Sequence, residues 1–171
     1  DMPFSLLPRV IAPDLPALTP EWLQQNGIRL LMLDFDNTIV PYTTDVPTEE
    51  MRRWLDTMAG SRIQVCIVSN SRNGRVPKFC EENGLPCIVR AHKPGTKGIR
   101  ECLQRFSCDS KQAALAGDQI FTDTLGANCA GVASILVNAI HNHTFWLKAR
   151  HVLELPFIFA ARKRRIEHEK S

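Results

Sequence analysis

The sequence predicts a doubly wound α/β fold, and three observations carry that prediction. Five apolar runs of strand length alternate with stretches of helical period. The runs are nearly unbroken, as strands covered by helices on both faces of a parallel sheet must be. The polar residues with chemical capacity fall just after those runs, where open parallel sheets bind their ligands. Size agrees: 171 residues, 44% hydrophobic and 23% charged, are enough for one domain with a substantial core, at about 100–200 residues per domain. The same composition excludes general disorder, a collagen-like repeat and a coiled coil.

Taken in order, residues 1–27 form a proline-rich arm. Pro3, Pro8, Pro13, Pro16 and Pro20 exclude a regular helix or a central strand there. The arm is expected to be extended, with a short helix beginning near Pro20 and carrying Trp22 and Leu23. After Gly27 come the predicted strands, at residues 28–33, 63–68, 86–89, 113–116 and 133–137. Between them, Thr48 with Glu49 and Glu50 opens a helix whose apolar residues Met51, Trp54, Leu55 and Met58 recur at i, i+3, i+4 and i+7. Val76, Phe79 and Cys80 mark a second helix that stops at Asn83-Gly84. Ile99, Cys102, Leu103 and Phe106 mark a third. The expected organisation is an arm over 1–27, a catalytic domain over 28–143 with a five-stranded, mainly parallel sheet, and a C-terminal segment over 144–171.

Net charge is +3, and its distribution says more than its sum. Residues 144–171 hold seven basic and three acidic side chains, which leaves 14 basic and 15 acidic in the rest. The surplus belongs to the C-terminus, and the body is slightly acidic. Six cysteines, none at CxxC spacing, argue against a zinc or redox site. Several lie in apolar runs, which points to a reduced, intracellular compartment. No stretch of about 20 apolar residues could span a bilayer. The expectation is a soluble or peripherally membrane-bound protein, cytoplasmic, or mitochondrial or plastid in a eukaryote.

The strand ends carry the chemistry. The first strand runs into Asp34-Phe35-Asp36-Asn37-Thr38, whose two carboxylates, two residues apart, face one side. Crowded like charges are costly unless a cation or a reaction uses them, although an acidic turn is the plainer alternative. The second strand ends in Ser69-Asn70, whose hydroxyl and neighbouring N–H groups could cradle a phosphate oxygen. Lys93, in His92-Lys93-Pro94-Gly95, offers a point charge, with Lys97 a rival. The fourth strand leads into Gly117-Asp118-Gln119-Ile120-Phe121-Thr122-Asp123, with oxygen donors suited to Mg²⁺.

DFDNT, SN, KP and GDQIFTD, in this order, resemble the haloacid dehalogenase superfamily of aspartate-nucleophile phosphatases, over about residues 28–137. The resemblance implies that Asp34 is the nucleophile and Asp36 the general acid/base, with Thr38 beside them. It implies that Thr38, Ser69 and Asn70 bind the phosphoryl group and that Lys93 holds its charge. It implies a Mg²⁺ ion on Asp34, the backbone carbonyl of Asp36 and Asp118, with Asp123 a further ligand or the lysine's partner. Such chemistry is physically coherent, because a carboxylate attacks an anionic phosphate only where cations neutralise its oxygens. The second acid of the DxDxT form activates water, which favours a phosphatase over a dehalogenase or an ATPase.

In this superfamily a cap domain sits after the first motif or between the second and third. Only 30 residues lie between Thr38 and Ser69, and a helix and a strand use most of them. The expectation is a capless, open site, suited to a bulky substrate that excludes water by itself. DFDNTIVPY, SNSRNGRVPKFCEENGLPCIVRAHKP, GDQIFTDTLGAN and TPEWLQQNGIR are similar to the YqeG-type branch and the related mitochondrial phosphatidylglycerophosphate phosphatases. That resemblance implies dephosphorylation of phosphatidylglycerophosphate to phosphatidylglycerol, a phosphorylated lipid as the substrate partner. A soluble phosphatase acting on a metabolite or a nucleic-acid end, or an idle scaffold, are the alternatives.

In residues 144–171, Phe145, Trp146, Leu147, Phe157, Ile158 and Phe159 precede Arg162-Lys163-Arg164-Arg165. Apolar residues beside a basic cluster suit peripheral contact with an anionic membrane, each cation contributing about 1 kcal/mol. A core-covering helix with a solvated tail is the alternative. The basic run lacks aromatics placed for base stacking, so no nucleic acid is expected as a partner. His141-Asn142-His143 reads as a surface loop, and Trp22, Trp54 and Trp146 as packing residues.

Overall fold

The computed structural model describes residues 5–41 and 44–140. Among the described residues, six strands form one sheet: β1 (Val10–Ala12), β2 (Leu30–Leu33), β3 (Gln64–Val68), β4 (Cys87–Ile88), β5 (Ala113–Gly117) and β6 (Ala133–Val137). Their spatial order is β1-β6-β5-β2-β3-β4, and every pair is parallel. The helices are α1 (Pro20–Gln25), α2 (Glu49–Ala59), α3 (Arg75–Glu82), α4 (Lys97–Arg105) and α5 (Leu125–Ala130).

The apolar runs are explained by which way each residue points. Leu30, Leu31, Met32 and Leu33 are all fully buried. Leu31 and Leu33 pack with Met51, Trp54, Met58 and Phe79 of α2 and α3, whereas Leu30 and Met32 pack with Ile99 and Cys102 of α4 and Ala127 of α5. Successive side chains of a strand enter opposite layers, so a doubly covered strand has no place for a polar residue. Thr48 caps α2 as expected, its hydroxyl accepting the Met51 N–H at 3.2 Å. α3 ends at Asn83, and Gly84 follows at φ 64°, a conformation glycine adopts without penalty.

The sheet has one strand more than the five expected. Val10–Ala12 pairs in register with Ile135, Leu136 and Val137 at the sheet edge. Pro8 and Pro13 flank it rather than interrupt it, which is why proline density forbids a central strand but not this edge strand. The arm also joins the main core: Leu15, Leu18 and Leu23 are buried in the same cluster as Leu31 and Trp54, and the Trp54 indole N–H donates to the Leu18 carbonyl at 2.9 Å. Trp22 packs against that cluster, half-buried. All six cysteines are free thiols, and Cys66, Cys80 and Cys102 are buried. Trp146, the His141-Asn142-His143 segment and the C-terminal apolar and basic stretch lie outside the described residues.

From β2 the chain winds outward through β3 and β4, then returns to place β5 on the other side of β2. This reversal opens a crevice at the carboxyl ends of β2 and β5. Among the described residues, α2 is the only helix between β2 and β3 and α3 the only one between β3 and β4, so neither connection carries a cap.

Candidate active site

Asp34 extends β2 by one residue, its N–H donating to the Ala116 carbonyl at 3.0 Å, so it emerges in the crevice beside the end of β5. The following turn holds Asn37 at φ 58°, a conformation that asparagine tolerates better than most residues. Asn37 N–H then donates to Val40 at 2.8 Å, folding the chain back so that Asp36 and Thr38 also stay at the sheet edge.

Lys93 reaches this edge from the connection between β4 and α4. Its ammonium is buried and donates to Asp123 Oδ1 at 2.6 Å and to Asp34 Oδ1 at 3.0 Å. Burial opposes its charge, but Asp123 and Asp34 together hold its pKa above the ordinary lysine value. Lys97, the alternative from the sequence, is exposed at the start of α4. Asn70 fixes the backbone of Lys93 from both sides: its side-chain amide donates to the Lys93 carbonyl at 2.8 Å, and its oxygen accepts the Lys93 N–H at 2.7 Å. The Asn70 side chain, expected to meet phosphate, is thus engaged with the lysine.

Asp118 and Asp123 lie on the turn after β5. The Thr38 hydroxyl donates to Asp118 Oδ1 at 3.3 Å, so Thr38, also expected at the phosphate, orients a carboxylate. Asp123 Oδ2 accepts the Gln119 N–H at 3.2 Å. Gly117 makes this packing possible, because a Cβ there would lie 2.2 Å from Asp123 Oδ2. Burial, then the neighbouring Asp34 and Asp123 charges, push the Asp118 carboxyl up to about 8. Burial and Asp34 push Asp123 up to about 7 despite Lys93. Oxygens of Asp34, Asp118 and Asp123 come within 4.8 Å of one another. Lys93 pairs with Asp34 and Asp123, whereas among the described residues Asp118 has no cation beside it, and burial next to like charges raises the carboxyls of Asp118 and Asp123. Hard oxygen donors this close fit a divalent cation, and these three residues could hold it.

A pocket of about 210 Å³ opens beside this cluster, lined by Asp34, Asp36, Ser69, Asn70, Ser71, Lys93, Gln119 and Thr122. Ser69 is buried, and its hydroxyl accepts the Ser71 N–H at 3.1 Å. Every residue the sequence singled out for the site therefore converges on one crevice, although Asn70 and Thr38 contact protein groups there.

The sequence reading missed Arg75. At the start of α3, its guanidinium bonds Asp36 and Asp45 and donates to the carbonyls of Pro41 at 3.0 Å and Thr44 at 2.7 Å. It also lies 5.1 Å from the centroid of the Phe35 ring. Burial and the Asp34 charge raise the Asp36 pKa, and Arg75 opposes that rise. A cation in the first turn of a helix opposes the helix dipole, which is the local signal that this arginine has another task.

A lysine-bridged carboxylate cluster at the switch point of a parallel sheet accords with the resemblance of the sequence motifs to phosphatases of the haloacid dehalogenase type. Solved structures share the fold. A haloacid dehalogenase-superfamily hydrolase of Geobacter sulfurreducens aligns with TM-score 0.54 and 14% identity over 75% of this chain and 99% of its own. The deoxy-D-mannose-octulosonate 8-phosphate phosphatase of Haemophilus influenzae, in a cobalt-bound form, aligns with TM-score 0.53 and 12% identity over 81% and 92%. The chain belongs to the mitochondrial PGP phosphatase family, whose model matches residues 2–140. It is 34% identical to the probable phosphatase YqeG of Bacillus subtilis over 120 residues, 70% of each chain. It is 24% identical over 143 residues to the chloroplastic phosphatidylglycerophosphate phosphatase 1 of Chlamydomonas reinhardtii, covering 78% of this chain and about half, 53%, of that one.

Proposed function

We propose that this phosphatase is a Mg²⁺-dependent phosphomonoesterase that works through an aspartyl-phosphate, and that its substrate is phosphatidylglycerophosphate. The observation that carries the chemistry is the Asp34–Lys93–Asp123 arrangement, a carboxylate at the pocket floor with a buried cation beside it. Asp34, Asp118 and the backbone carbonyl of Asp36 would hold Mg²⁺, with Asp123 held by Lys93. Bound there, the ion neutralises phosphate oxygens and so lowers the repulsion that an attacking carboxylate meets.

An Asp34 oxygen forms a bond to phosphorus as the ester P–O bond breaks, and Asp36 gives its proton to the departing alkoxide. Water then attacks the same phosphorus, returning a proton to Asp36 and releasing inorganic phosphate with Asp34 restored. Lys93 supplies fixed positive charge to the transferring group, and Asn70 keeps that ammonium from drifting by clamping its backbone. Ser69 stands at the pocket wall to orient phosphate oxygens.

Two features support a lipid substrate. The family and the chloroplastic relative carry that activity in their names. Val46 and Phe121 are the large apolar side chains left exposed among the described residues, at 62% and 39%. Val46 follows the Asp45 that Arg75 holds, and Phe121 lies between the pocket residues Gln119 and Thr122. Apolar side chains beside a phosphate pocket suit a headgroup presented at a membrane. The C-terminal segment 144–171 is proposed as a second peripheral contact with anionic lipid.

The test is phosphate release by the wild type and Asp34→Asn with Mg²⁺, from phosphatidylglycerophosphate in vesicles and from soluble phosphate esters. The expected result is turnover of the vesicle substrate far above the soluble esters and none by the variant. Full release by Asp34→Asn would remove the nucleophile assignment, and a preference for soluble esters would remove the lipid.

A further inference from the structure

We propose that Arg75 is a positioning residue that aims the Asp36 carboxylate at the leaving-group oxygen and the attacking water. The inference rests on the proton-exchange role assigned to Asp36 above.

The sequence leaves Asp36 on a loop, and nothing local fixes its side chain. Arg75 supplies what is missing. One guanidinium N–H bonds Asp36 Oδ1, which occupies one carboxylate oxygen and leaves the other for proton exchange in the pocket that Asp36 lines. The arginine is itself held from several sides. Its Nε–H goes to Asp45, its Nη2 donates to the Pro41 and Thr44 carbonyls, and its plane lies over Phe35, which packs edge-to-face on Phe79 at 5.0 Å. A planar fork with four of its five N–H groups on protein acceptors has little freedom to swing toward substrate, so it does not serve as a phosphate ligand. It instead joins the start of α3 to the loop after β2, so that Asp36 is fixed relative to the sheet on which Asp34 sits. General acid–base catalysis needs that geometry more than it needs charge, since proton transfer requires hydrogen-bond reach.

A positioning role for the acid has a signature that a general structural role lacks. An alkoxide leaves only with a proton, whereas p-nitrophenolate leaves well without one. Displacing Asp36 should therefore penalise an alkyl phosphate far more than an aryl one. The test measures kcat and KM of the full chain with Mg²⁺ on glycerol 3-phosphate and on p-nitrophenyl phosphate. Arg75→Lys, which keeps the charge but loses the fork, and Asp45→Asn, which loosens the arginine from behind, are compared with wild type. The expected result is a fall in kcat on the alkyl ester of about 10-fold or more beyond that on the aryl ester. KM should change little, and Arg75→Lys should add nothing to Asp36→Asn when the two are combined. Equal losses on both esters, or additive losses in the double variant, would overturn the proposal. If Arg75→Lys fails to fold, Asp45→Asn decides alone, and an unchanged ester ratio there overturns it. Such a result would leave the Asp34→Asn outcome untouched, so the two readings fail separately.

Discussion

Replacing Lys93 with methionine tests the electrostatic reading of the site most directly. Methionine fills much of the lysine stem's volume, so the packing loss is small and the charge loss dominates. Lys93 and Asp123 are both buried, and the ammonium lies 2.6 Å from Asp123 Oδ1 and 3.0 Å from Asp34 Oδ1. Removing one partner of a buried pair costs about 3–5 kcal/mol, because the other charge is left without compensation. Against a typical total of about 5–15 kcal/mol, that is a large fraction. For a domain of this size it lowers Tm by on the order of 10 °C.

The loss must depend on pH, and its sign follows from Asp123. Its folded-state pKa, about 7, lies above the ordinary carboxyl value. The folded protein therefore holds a proton that the unfolded chain gives up between about pH 4 and 7, and stability declines across that window as pH rises. Without the lysine the Asp123 pKa rises further and the window extends upward. The lysine's own raised pKa keeps it charged throughout this range, so its contribution in the wild type does not fade with it. Metal-free thermal unfolding at pH 5.5 and pH 8 gives the measurement. The Tm deficit of Lys93→Met should be small at pH 5.5 and large at pH 8, and activity should be lost at both. A deficit independent of pH, or no deficit at pH 8, would refute the argument that Lys93 neutralises Asp123 and Asp34.

Two further outcomes follow from the same cluster. Gly117→Ala would place a Cβ 2.2 Å from Asp123 Oδ2 and 2.4 Å from its Cγ, and the buried carboxylate has little room to retreat. A stability loss of about 1–3 kcal/mol and a fall in kcat of about 10²-fold are expected, from overpacking and a displaced lysine; near-wild-type kinetics and Tm would show that the contact is easily relieved. Mg²⁺ added to metal-free protein should raise Tm more at pH 8 than at pH 5.5, because a proton on Asp118 competes with the ion at the lower pH. A Tm increase of the same size at both values would show that Asp118 is not a binding group.

Much of this site is legible in the sequence. Asp34, Asp36, Ser69, Lys93, Asp118 and Asp123 announce themselves because each follows an apolar run, and parallel strands ending together bring their next residues together. The strand β1 and helix α5 were not legible, for different reasons. β1 is three residues among prolines, and its pairing with β6 spans more than 120 residues of chain. α5 is six residues, LGANCA, too short and too small-residued to show a helical period. Arg75 was hidden because its four acceptors come from Asp36, Pro41, Thr44 and Asp45, 30 to 39 residues earlier.

The sequence by itself determined a parallel sheet, five of the six strands described and the residue types at their carboxyl ends, since burial on two faces and polar residues at strand ends both leave a local record. The tertiary structure alone decided which groups pair. It set Lys93 rather than Lys97 between Asp34 and Asp123, turned the Asn70 side chain onto the lysine's backbone, and brought Arg75 to Asp36. Those pairings depend on distances across chain separations of 23 to 59 residues, and a hydrogen bond is satisfied by position in space, of which the linear order keeps no trace.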